Sequence, residues 1–193
     1  TGQPSTKAIA NTATLALSFD KPSYRIREAA NLTVDLTNTG KFNLENATVT
    51  VFIPDAGFTD IKTVTIGQGQ ALPLQFVVPL PDTMAAGQHD MNVSLTLPSG
   101  SSIVQTAKLT VPESALNIGY SGLTNLTAGE TISIDVTNTG GVDTGYTSVN
   151  LAMTDDNGVV IHQGNAAGSI LAGEKKTLAN IQVPSQAIKG SVA

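Results

Sequence analysis

The stretch Leu32-Thr-Val-Asp-Leu-Thr-Asn-Thr-Gly40 returns later in the chain as Ile132-Ser-Ile-Asp-Val-Thr-Asn-Thr-Gly140. In both, apolar residues take every second position, and a side-chain period of two belongs to a strand with one buried face. Asn-Thr-Gly then supplies turn chemistry. Reading outward, Val49, Val51, Ile53 and Asp55 answer to Val149, Leu151, Met153 and Asp155 in the same register. Ile66-Gly-Gln-Gly69 answers to Ile170-Leu-Ala-Gly173 with four added residues, and Val78-Pro79 to Val183-Pro184 with five. Duplicated domains absorb such shifts in loops. The chain therefore reads as two copies of one domain.

The same alternation runs through Leu15/Leu17/Phe19, Leu74/Phe76/Val78, Met91/Val93/Leu95/Leu97 and Ile103/Ala107/Leu109/Val111. Turn signals separate these runs at Asp55-Ala-Gly57, Gly67-Gln-Gly69, Pro81-Asp82 and Pro98-Ser-Gly100. No stretch offers an amphipathic helix. Short strands at this spacing predict an all-β chain of two tandem immunoglobulin-like Greek-key β-sandwiches. The expected division is an N-terminal arm over 1–14, a first sandwich over 15–113 and a second over 114–193. The short connection at Val111-Pro-Glu-Ser-Ala-Leu116 predicts a stiff two-domain rod.

Composition narrows the chemistry. Ten basic against 15 acidic residues among 193 leave no basic footprint for nucleic acid or an anionic membrane. No apolar run approaches the ~20 residues of a transmembrane helix. The absence of cysteine removes disulfides, thiolate metal sites and a cysteine nucleophile. The opening Thr-Gly-Gln-Pro has no initiator Met or signal-peptide pattern, which reads as a piece of a longer or processed polypeptide.

The run Asn31-Leu-Thr-Val-Asp-Leu-Thr-Asn-Thr-Gly40, then Ile66-Gly-Gln-Gly-Gln70, then Val77-Val-Pro79 and Ala85-Ala-Gly-Gln-His-Asp-Met-Asn-Val93 resembles bacterial and archaeal Ig-like repeats. These include the CARDB-type (cell-adhesion-related) domains and Ig-like modules appended to glycosidases and surface proteins. The likeness spans 15–111 and, with less detail, 115–184. It implies an extracellular or cell-surface spacer, adhesion arm or interaction module, and no catalytic residues to carry over. The chain departs from the family at His89, where an aromatic residue often stands.

The second copy is short. Residues 80–113 follow the Val-Pro marker in copy one, against 185–193 in copy two, so the second sandwich is expected to lack about two C-terminal strands. Either the chain is cut short, or another chain donates the missing strand. The donor candidate is Lys7-Ala-Ile-Ala-Asn-Thr-Ala-Thr-Leu15, which continues the odd-numbered face of Leu15, Leu17 and Phe19 back to Ile9.

Candidate sites are sparse. His89 and His162 read as strand-end or surface histidines, because a triad needs base, nucleophile and orienting acid together. Asp155-Asp-Asn-Gly158 lacks the alternating ligands of a calcium loop and reads as a hairpin turn. Asp35 and Asp135 alternate with inward residues and belong on an outer face. Gly67-Gln-Gly69 reads as a β-turn, not a phosphate loop. Tyr24 beside Arg25 and Arg27 is the densest polar-aromatic spot, expected at an early strand edge. Tyr120 and Tyr146 complete a sparse set for sugar stacking, and Phe58 is expected to fold back onto the sandwich. Asn31, Asn46, Asn92 and Asn125 head Asn-x-Ser/Thr sequons, close to the number chance supplies. No catalytic, cofactor or metal residue is assigned, and no membrane insertion or small-molecule ligand is expected. The functional expectation is a non-catalytic module that meets protein partners or its own copies through strand edges. The alternatives are a filament or pilus-like subunit built by strand complementation, and an accessory region of a larger secreted hydrolase.

Overall fold

A computed structural model describes residues 12–121, 128–155, 157–184 and 190–192. Among these residues the chain is β throughout, every strand pairs antiparallel, and the one helical element is a 3-10 turn at Pro54–Ala56. No helix among them is long and apolar enough to cross a membrane. The chain divides into two compact units, Thr1–Val111 and Pro112–Ala193.

Unit 1 contains β1 (Ala13–Phe19), β2 (Ala29–Asn38), β3 (Leu44–Ile53), β4 (Phe58–Ile66), β5 (Ala71–Pro79), β6 (Gly87–Thr96) and β7 (Ser102–Val111). They form a three-stranded sheet, β1-β2-β5, and a four-stranded sheet, β4-β3-β6-β7. β1 starts at Ala13, so the sheet takes the last two residues of the expected arm. The alternating apolar positions of the two sheets bury one β-sandwich core: Leu32, Val34 and Leu36 from β2, Val49, Val51 and Ile53 from β3, Met91, Val93 and Leu95 from β6.

β4 was hidden from sequence alternation. Its register against β3 turns Phe58, Asp60, Lys62, Val64 and Ile66 inward, so two of its five inward positions are charged. Lys62 resolves this by donating its ammonium to Gln75 O and lying 4.7 Å from the Phe76 ring centroid. Inward charge on an edge strand also discourages pairing with another chain.

Unit 2 contains β8 (Leu116–Ser121), β9 (Thr131–Asn138), β10 (Thr147–Asp155), β11 (Val160–Gly168), β12 (Lys175–Gln182) and β13 (Gly190–Val192). Its sheets are β8-β9-β12 and β11-β10-β13. Ile132, Ile134, Met153, Ile181 and Val183 form its core, drawn from both sheets. Register repeats between units: Ala13 faces Asn38 as Leu116 faces Asn138. Four added residues lie in the β10–β11 hairpin, which carries the turn expected at Asp155–Gly158; Gly158 has φ +80°. The fifth added residue corrects the expectation that such shifts sit in loops. It is Leu178, accommodated as a β-bulge between Thr177 and Ala179 of β12.

Candidate functional site

The repeated Asn-Thr-Gly is more than a turn. Asn38 is wholly buried; its Nδ2 donates to Phe42 O at 2.8 Å, Gly67 O at 3.1 Å and Ile66 O at 3.3 Å, and its Oδ1 accepts from Gly40 N at 3.0 Å. Asn138 repeats this: Nδ2 donates to Val142 O at 2.8 Å and Ile170 O at 3.3 Å, while Oδ1 accepts from Gly140 N at 3.0 Å and Ala115 N at 3.2 Å. Each amide thus pins the end of one sheet's central strand to the loop and strand end of the other sheet. The role is architectural, because buried main-chain groups at a sandwich end need partners.

His89 is not at the surface. It lies on the inward side of β6, 5% exposed, with Nδ1 2.7 Å from Asp55 Oδ2 and Nε2 2.9 Å from Ala85 O. Both ring nitrogens are engaged by acceptors, so the pair ties the β3–β4 turn to the β5–β6 connection and leaves neither nitrogen facing a nucleophile. His162 is half-buried on the inward side of β11 opposite Met153 and borders a cavity of about 20 Å³ with Ile134 and Ile181.

Tyr24 sits in the β1–β2 connection, not at a strand edge, and is 2% exposed. Its hydroxyl donates to the Asp20 carboxylate, its ring meets Phe19 edge-on at 5.8 Å, and its N–H donates to Thr110 O of β7 at 3.0 Å. The Tyr24 hydroxyl, helped by Asn31, holds the Asp20 carboxyl below the usual range, while burial and then Asp20 push the Tyr24 phenol up. Arg25 and Arg27 flank this corner; Arg25 pairs with Glu28 at 4.0 Å, and Arg27 takes φ 66° as its N–H meets Leu80 O.

Asp135 lies on the outer face of unit 2, where Thr177 Oγ1 donates to it at 2.6 Å and Lys175 Nζ lies 2.9 Å away. These donors hold its carboxyl below the usual range. Asp135 and Lys175 line a shallow concavity with Asn117, Gly119 and Thr137. Asp35, its counterpart, stands on the outer face of β2 opposite Pro73. Phe58 is half-buried opposite Ile53, on the inward side.

The sequons differ in setting. Asn31 donates Nδ2 to Asp20 at 3.0 Å, Asn92 accepts from Thr106, and Asn46 is exposed on a β3 bulge with φ 54°. Asn125 and most of the Lys7–Leu15 donor candidate lie outside the described residues. Among the described residues no three His, Asp or Glu side chains converge as a metal-holding group.

Unit 2 exposes a row of apolar residues on β8. Leu116, Ile118 and Tyr120 of β8 stand opposite Asn138, Val136 and Ile134, so they share the inward, buried face of β9. Yet they are 42%, 56% and 63% exposed. In unit 1 the matching residues Ala13, Leu15 and Leu17 lie against β7 and are buried or half-buried. Among the described residues of unit 2 no strand holds β7's place. β13 pairs β10 only at Met153–Asp155, whereas β6 pairs β3 along Thr48–Phe52. Among the described residues, Thr147–Ala152 of β10 is paired on one side, by β11.

No protein-family model matches this chain, and no curated protein does. Among solved structures it is similar to Spo0M, sporulation control protein, from Bacillus subtilis, at 12% identity over 83% of this chain and 91% of that one, with a TM-score of 0.39.

Proposed function

We propose that the chain is a tandem pair of immunoglobulin-like Greek-key sandwiches acting as a non-catalytic structural and interaction module of an extracellular or cell-surface protein. The observation that carries this reading is the strand order. β2 pairs with β5 across the chain, β3 with β6, and the order recurs in unit 2 as β9 with β12 and β10 with β13. That crossing supports the Greek-key part of the reading, since consecutive strands there lie in different sheets and pair with strands further along the chain. The outer faces fit the role: across β4-β3-β6-β7 one row reads Ile61, Thr50, Ser94, Val104, two hydroxyls flanked by two exposed aliphatic side chains and no charge. An antibody against residues 1–193 is expected to label intact producing cells or their medium, with cell label lost on protease shaving. Label confined to the cytosol overturns the reading.

The exposed face of β8 favours a second, more specific reading: unit 2 accepts a strand, and the chain is a subunit assembled by β-complementation.

A further inference from the structure

We propose that Asn46 is an N-glycosylation site, the acceptor for an oligosaccharide delivered on a polyprenyl pyrophosphate. This rests on the extracellular reading, because such transfer meets exported chains.

The sequons look alike in sequence, and the folded chain separates Asn31, Asn46 and Asn92. Transfer needs a side-chain amide free to leave the protein surface and, two residues on, a hydroxyl that the transferase can engage. In the first sequon both groups are committed. Asn31 Nδ2 donates to Asp20 Oδ2 at 3.0 Å, and Thr33 Oγ1 donates to Gln75 Oε1 at 3.1 Å. Asn31 also lies within β2, opposite Val77 of β5, while its carbonyl accepts from Asp20 N at 3.2 Å. Asn92 is half-buried in β6 and paired on both sides, by Phe52 of β3 and Thr106 of β7. Its Oδ1 accepts from Thr106 Oγ1 at 3.4 Å.

Asn46 stands differently. β3 pairs with β6 only from Thr48 to Phe52, so Asn46 lies beyond the end of that pairing. On the β4 side the register steps from Leu44–Ile66 to Ala47–Val64, leaving Glu45 and Asn46 together against Thr65. Two residues against one is a bulge, and it takes the chain out of the ladder. Asn46 there adopts φ 54°, a left-handed conformation that asparagine tolerates better than most side chains. Its main-chain N–H donates to Thr65 Oγ1 at 3.3 Å. Its side chain is exposed, and among the described residues nothing bonds its amide or the Thr48 hydroxyl. It borders an open concavity of about 310 Å³ with Asn43, Glu45, Pro98 and Ser99, which gives a first sugar room beside the strand end.

In the transfer, Asn46 Nδ2 attacks C1 of that sugar. The Nδ2–C1 bond forms as the bond from C1 to the pyrophosphate oxygen breaks. Nδ2 gives up one proton to the transferase, and the polyprenyl pyrophosphate leaves.

The test incubates the folded full chain with a single-subunit oligosaccharyltransferase and its lipid-linked oligosaccharide, and quantifies glycopeptides by mass spectrometry. Occupancy at Asn46 should exceed that at Asn31 and at Asn92 at least about tenfold, since those two must first give up hydrogen bonds. Asn46→Asp keeps the left-handed preference without the amide, and Thr48→Val keeps the strand and the amide without the hydroxyl. Both should abolish the product at residue 46 while circular dichroism stays unchanged. Equal occupancy of the three asparagines, a bare Asn46, or product at Asn46 that survives Thr48→Val overturns the proposal. The chain recovered from its producing cells separates the two ideas. Glycan at Asn46 of the exported chain is expected; an exported chain bare at Asn46 overturns this assignment and leaves the extracellular reading standing, and a chain confined to the cytosol overturns both.

Discussion

Val49 and Val51 in unit 1 are wholly buried, while Val149 and Leu151, at the same places in unit 2, are half-buried. The strands themselves are alike: β9 sits between β8 and β12 as β2 sits between β1 and β5, and the Asn38 and Asn138 amides make matching bonds. What differs is the second layer. Among the described residues, unit 1 lays four strands over its three-stranded sheet, and unit 2 lays two long strands and the three residues of β13. Strand pairing satisfies the main chain within a sheet, but burial of its apolar face needs another sheet above it. The same strand pattern therefore has its inward face fully buried at Val49 and Val51 and half-buried at Val149 and Leu151.

The sharpest way to probe this contrast is the glycine that ends each repeated motif. At Gly140 an added Cβ would sit 2.5 Å from Ala115 N, against rigid main chain, whereas at Gly40 the nearest atom, Thr12 N, is 3.1 Å away. Gly140→Ala is expected to destabilise unit 2 by about 4 kcal/mol and Gly40→Ala to cost unit 1 about 1 kcal/mol. Thermal unfolding followed by circular dichroism should show the amplitude belonging to unit 2 lost in the first case and a small shift of the unit 1 transition in the second. Equal shifts would mean that the connection through Ala115 moves aside.

Core truncation comes next. Leu36→Ala empties a wholly buried position and should cost about 3 kcal/mol, while Ile118→Ala, on the open face, should cost under about 1 kcal/mol. Urea titration checks both, and an Ile118→Ala cost near that of Leu36→Ala would show that the face is covered in solution. Asn38→Ala and Asn138→Ala, by contrast, should cost about 2 kcal/mol each, because each strands buried carbonyls and an N–H. A large difference between the two would break the symmetry of the repeat.

The smallest effect is in pH. Asp20 and Asp135 both have carboxyls held below their ordinary value, so each contributes stability above that value and loses it as pH falls through the lower, folded one. Acid titration of each transition from pH 5 to pH 2 should be less steep in Asp20→Asn for unit 1 and in Asp135→Asn for unit 2. Unchanged steepness in either variant would assign the acid sensitivity to other carboxylates.

Much of this layout is visible in the sequence, because inward alternation survives in every central strand. β4 escaped that reading because Asp60 and Lys62 occupy inward positions, which a period-two search scores as solvent. His89 escaped for a related reason: a polar residue at a strand start looks exposed until Asp55 and Ala85 O are seen to engage both nitrogens. Tyr24 looked like a strand edge since nothing local reveals that Thr110, far along the chain, captures its N–H. The Asn38 amide could have been suspected from its exact return at Asn138, a level of repetition a plain turn does not require.

By itself, the sequence determined that this chain is β throughout, that it repeats, and which residues of its central strands face inward, since those properties follow from side-chain period and turn chemistry. Only the tertiary structure decided which strands pair across the chain, that buried asparagines tie the sheets together, and that Leu116, Ile118 and Tyr120 of β8 stay exposed though they share the inward face of β9. Those depend on what stands opposite each face. Contacts between residues far apart in the chain set that, and no local pattern encodes them.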